Sequence, residues 1–112
     1  IKHNASGEKQ WEKQCNDRVN SVIQTSDGGY AIGTGTESSY GRFIKYNASG
    51  EKQWEKQYND RVNSVIQTSD GGYAIGTGTE SSYGHFIKHN ASGEKQWEKQ
   101  CNDRVNSVIQ TY

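Results

Sequence analysis

The chain is one 43-residue unit written out about 2.6 times. Residues 1–43 and 44–86 differ only at His3/Tyr46, Cys15/Tyr58 and Arg42/His85. Residues 87–112 repeat residues 1–26 with a single change, Ser26 to Tyr112. A repeat this close fixes the architecture before any local motif is read, because each copy must fold alike and bury its faces against its neighbours. The units are repeat 1 (1–43), repeat 2 (44–86) and a partial repeat 3 (87–112).

Within the middle copy, period two dominates. Phe43–Tyr46 is a short extended run, and Asn47-Ala48-Ser49-Gly50 is a turn, with Asn supplying local hydrogen bonds and Gly a positive φ. Lys52–Tyr58 reads as a polar strand with Trp54, Lys56 and Tyr58 on one face. The Lys56 stem lies along the rings if its charge is to reach water. Asn59-Asp60-Arg61 breaks the pattern as a connecting turn. Val62–Thr68 is a β-branched strand, and Asp70-Gly71-Gly72 is the strongest turn signal. In Tyr73–Thr79 the row of Ala74, Gly76 and Gly78 lets a neighbouring element approach closely. Residues 80–84 form the loop back to Phe86. No segment holds a 3.6 period for three turns; Glu8–Lys13 has helix formers but is too short to stand alone.

Four strands per 43 residues predict an all-β protein, a β-propeller of four-stranded blades that bury their faces by stacking. The string Ser64-Val65-Ile66-Gln67-Thr68-Ser69-Asp70-Gly71-Gly72-Tyr73-Ala74-Ile75, then Phe86-Ile87-Lys88 and Asn90-Ala91-Ser92-Gly93 before Trp97, resembles bacterial and archaeal propeller-like repeats with a QTSDGGY…IK…ASG…W pattern. The resemblance covers the entire chain. It implies a propeller fold and a secreted or surface setting, and no particular activity. The loop before Phe86 is shorter than in many such repeats, which weakens any binding role placed there. The copy differences, each reachable by one base change, fit a young natural duplication and equally an engineered or reconstructed repeat.

Charge and composition exclude several classes. Thirteen Lys and Arg balance thirteen Asp and Glu, so nothing steers the chain to nucleic acid or an anionic membrane. Zero net charge also removes the repulsion that keeps copies apart. Apolar runs are only two or three residues long, too short for membrane insertion by a helix, and no signal peptide is visible. Hydrophobic residues are 29% of the chain, and the Trp, Tyr and Phe side chains supply much of the area to bury.

Counted in strands the chain reads as about eleven, too few for a propeller ring, and an open stack leaves edges and faces uncovered. The expectation is completion by oligomerisation. Two chains carry about 5.2 repeats, and a homodimer closing a five-bladed ring is the preferred assembly, with a non-closing head-to-tail array as the alternative.

Searching for chemistry yields little. His3 and His89 are tyrosine in the middle copy, so no histidine-based triad is built into the scaffold. The acids recur singly and read as solvated edges or turn caps, not as a glycosidase pair. His85 and His89 lie about 13 Å apart along a strand, too far to share a metal. A hairpin around Asn90–Gly93 would bring His89 near Cys101, but two ligands do not make a metal centre. The glycine pairs lack the helix and Lys-Ser/Thr partners of a phosphate loop, and the lysines are interleaved with acids. The expectation is therefore no enzyme, no cofactor and no metal. Cys15 and Cys101, with Tyr58 in register between them, read as free thiols at a tyrosine position and are the candidates should a disulfide form.

The expected function is a self-assembling, non-catalytic propeller scaffold. The alternative is multivalent, lectin-like binding of glycans in repeated inter-blade pockets. Its candidate residues are Trp11, Trp54, Trp97, Tyr40, Tyr83, Asn59, Asp60 and Arg61, although each Trp also suits a core or blade interface. Asn4, Asn47 and Asn90 match the Asn-Ala-Ser acceptor pattern for glycosylation while reading first as turn formers.

Overall fold

The computed structural model describes residues 1–3, 5–12, 18–35, 40–78, 84–101 and 105. It is all-β, with ten strands among these residues. The strands are β1 (Lys2–His3), β2 (Lys9–Trp11), β3 (Val19–Gln24), β4 (Tyr30–Thr34) and β5 (Gly41–Tyr46), then β6 (Lys52–Tyr58), β7 (Val62–Gln67), β8 (Tyr73–Thr77), β9 (His85–His89) and β10 (Lys95–Gln100). They form a small β1-β2 hairpin and two four-stranded antiparallel meanders, β3-β4-β5-β6 and β7-β8-β9-β10. The strands of the middle copy fall where alternation places them. The eleventh strand expected from the sequence falls on residues outside the described part, Val105 excepted. The physical sheets run from Val19 to Tyr58 and from Val62 to Gln100, so the boundary between repeats 1 and 2 falls inside β5.

Turn chemistry sets the register. In the β3–β4 turn the Gly28 N–H donates to Thr25 O at 3.0 Å and the Thr25 N–H to Gly29 O at 2.9 Å. Gly28 adopts φ 83°, open to glycine without cost. The Asp27 carboxylate accepts from the Gly29 N–H at 2.9 Å. Lys45, reaching from β5, donates to Asp27 Oδ2 at 3.0 Å, to the Tyr46 carbonyl at 3.0 Å and to Gln53 Oε1 at 2.9 Å. One buried ammonium therefore ties a turn and two strands together. Lys88 does the same for Asp70, the His89 carbonyl and Gln96. At the β5–β6 turn Asn47 Oδ1 accepts from the N–H groups of Ser49 and Glu51.

The two meanders pack face to face, and the core lies between them. Ala31 and Phe43 of the first sheet meet Val62, Val65, Tyr73, Ile75 and Ile87 of the second, with Ile23, Trp54 and Tyr58 packed against them. The approach needs small residues. A Cβ on Gly33 would stand 2.6 Å from Val62 Cγ1. The three-residue link from β6 to β7 lies across the strand ends, where a Cβ on Gly41 would meet the Asp60 carbonyl at 2.2 Å. Polar ties cross the same junction. Asn20 Nδ2 donates both to Gly35 O of its own sheet and to Val62 O of the next, each at 3.0 Å. Asn63 repeats this to Gly78 O and Val105 O.

Candidate functional site

Two of the sequence candidates, Asn59 and Asp60, lie in a cleft at the junction between the sheets. The end of β6 and the link after it meet the face of β8, β9 and β10 around a cleft of about 280 Å³. The first sheet contributes Gln57, Tyr58, Asn59 and Asp60. The second contributes Thr77, His85, Ile87 and Glu98.

At its base the Tyr58 hydroxyl is hydrogen-bonded to His89 Nε2 across the two sheets. His89 is fully buried, its ring 5.1 Å from that of Phe43 and 5.9 Å from that of Tyr58. Its Nδ1 has no hydrogen-bond partner among the described residues. Burial, with the positive charges of Lys56, Lys88 and Lys95 adding to it, lowers the imidazole to about 4, so it is neutral at pH 7. Burial, and next the Glu98 charge, pushes the Tyr58 phenol up to about 12. A neutral aromatic pair thus closes the junction. Higher in the cleft, His85 Nδ1 lies 2.6 Å from Glu98 Oε2. Glu98 also accepts from Lys95 at 2.8 Å. Lys95 and then His85 hold its carboxyl below the usual glutamate range against the opposing effect of burial. In the first sheet Arg42 Nε takes the histidine's place, 3.4 Å from Glu55.

The sequence candidates for a glycan pocket separate. Asn59 and Asp60 line the cleft. Arg61 stands beside it and donates to Asn63 Oδ1 at 2.6 Å. Trp54 is a junction residue, edge-on to Phe43 at 4.9 Å and to Tyr73 at 5.8 Å. Its ring lies under Gly93, where a Cβ would come within 2.9 Å. Trp97 lies edge-on to Phe86 at 5.1 Å and is 42% exposed. Trp11 is on β2 opposite Lys2, and Tyr40 is an exposed residue just before β5. Tyr83 and Cys15 lie outside the described residues. Cys101 is a free, half-buried thiol.

The expected closeness of His89 and Cys101 does not occur. The β9–β10 register sets His89 opposite Lys95, while the Cys101 N–H donates to Gly84 O. The hairpin turn consumes the first residues after His89, so Cys101 ends up at the opposite end of the pair. No group of three or more metal-ligating side chains forms among the described residues.

Sequence reasoning missed Lys45, Asn20 with Asn63, and the Tyr58–His89 contact. A signal for the last was present: Tyr58, His85 and His89 occupy the three positions at which the two full copies differ, and all three meet at this junction. No protein-family model matches the chain, and no curated protein matches it.

Proposed function

We propose that the chain is a β-propeller repeat, each meander one blade, and that it works as a non-catalytic scaffold assembling with copies of itself. The observation that carries this reading is a difference between identical residues. Val62 and Val65 of β7 are buried at 0% and 2%, whereas Val19 and Val22 of β3 are exposed at 44% and 59%. Covering a valine contributes about 1.5–3 kcal/mol, so the front of β3 has much to gain from a partner. The fitting partner surface is the back of a preceding blade, as Gly33, Phe43 and Trp54 serve β7. The second blade carries the same residues there, with Trp97 exposed, and its Asn63 already holds Val105 of the same chain as Asn20 holds Val62, so the stacking contact is one the chain itself repeats. A homodimer closing a five-bladed ring is the assembly we put forward.

Light scattering on a size-exclusion peak, with and without reductant, tests it. The expected mass is twice the 12.5 kDa chain. Val22→Asp should give a folded monomer, whereas Val65→Asp, at the same repeat position, should unfold the protein. A wild-type monomer at every concentration would remove the assembly reading.

A further inference from the structure

We infer that the cleft between the two sheets binds a neutral, polyhydroxylated six-membered ring, a free monosaccharide or the end unit of a glycan. Its volume of about 280 Å³ is at the small end of ligand pockets, enough for one ring. Its carboxylates already have partners. Glu98 is held by Lys95 and His85, and Asp60 is partnered as well. The cleft therefore offers little net attraction to an ion. What it does offer is a dense set of short-range acceptors and donors: two carboxylates and the exposed amides of Gln57 and Asn59. Hydroxyl groups, which both donate and accept, satisfy such a set better than an ammonium or a phosphate. The half-buried Tyr58 ring gives it an apolar wall for the C–H face of a sugar.

The copies differ where selectivity would be set. His85 lines this cleft, and the equivalent position in the first sheet is Arg42, so successive clefts along a repeat array would share a frame and differ in one rim side chain. Weak sites of this kind gain strength by repetition along an assembly.

The test is a ¹H–¹⁵N titration of the full chain with the methyl glycosides of glucose, galactose, mannose and N-acetylglucosamine. The expected result is a saturable shift with at least one of them, confined to Gln57, Asn59, Asp60, His85 and their neighbours. Gln57→Ala/Asn59→Ala changes only exposed side chains. It should weaken that binding at least tenfold while leaving the circular dichroism spectrum unchanged. His85→Arg should change the order of preference among the four sugars. Retention on glycan-coated beads beyond that of the free glycoside would identify a chain end as the ligand, and its absence a free sugar. The inference is overturned by no saturable shift with any sugar, by saturation that the double variant leaves intact, or by shifts with spermidine or sulfate alone. Mass is recorded on the same samples, so failure to assemble and failure to bind are read separately.

Discussion

The Lys45 ammonium and the Asp27 carboxylate are 3.0 Å apart, yet the lysine side chain is 3% exposed and the aspartate 58%. The pair is anchored from the protein side and reaches outward to hold a turn. The Thr25 hydroxyl, the Gly29 N–H and then Lys45 lower the Asp27 carboxyl to about 2. Its folded value lies below its unfolded one, so its contribution is complete above about pH 4 and is lost as pH falls toward 2. With solvent screening of so exposed a group this amounts to about 1 kcal/mol. Asp27→Asn should reduce the urea midpoint at pH 6 and flatten its slope below pH 4.

Lys45→Met should cost more than Asp27→Asn. It leaves the Tyr46 carbonyl and Gln53 without their donor, whereas Asp27 remains in water. The expected loss is about 2 kcal/mol, measured by urea unfolding at pH 7.

His89 opens a separate acid window. Its folded value of about 4 lies below the unfolded 6.5, so protonation favours the unfolded chain. Stability is complete above about pH 6.5 and declines as pH falls to about 4, because a charged imidazole would be buried among Lys56, Lys88 and Lys95. His89→Tyr, which restores the residue found at position 46, should remove this decline. Urea midpoints between pH 7 and pH 4.5 check it, and an unchanged slope in the variant would refute the assignment.

Gly33→Ala places a methyl group against Val62 and Val65 at the closest point between the sheets. Overpacking of this kind costs about 1–3 kcal/mol. The melting temperature should fall without loss of β-sheet signal at 20–25 °C, roughly.

Asn20→Ala leaves the Gly35 and Val62 carbonyls without a shared donor. A loss of about 1–2 kcal/mol is expected. Hydrogen exchange should show it first in β7, across the junction from the substitution.

Strands and turns were legible because they depend on neighbours in sequence. The alternation of Trp54, Lys56 and Tyr58 and the Asp-Gly-Gly turns state their geometry outright. The junction was not, since Tyr58 and His89 meet across two sheets from positions 31 apart in sequence. Lys45 was hidden for another reason. A lysine in a strand reads as a solvent-facing group, and only its three acceptors, drawn from a turn and two strands, make its burial tolerable. Asn20 and Asn63 carried a readable hint, an amide in a strand that otherwise favours branched side chains. Among the glycan candidates one large aromatic, Trp54, goes to the core rather than to a rim, while Trp97 and Tyr40 stay exposed.

The tie from Asn20 to Val62 spans 42 residues, and the tie from Asn63 to Val105 spans the same interval. Each junction thus joins positions about one repeat period apart. Recombination that adds or removes one 43-residue unit, wherever its breakpoints fall, regenerates the same contacts on both sides of the splice. Such a gene can lengthen or shorten its product in whole quanta without passing through a misfolded intermediate.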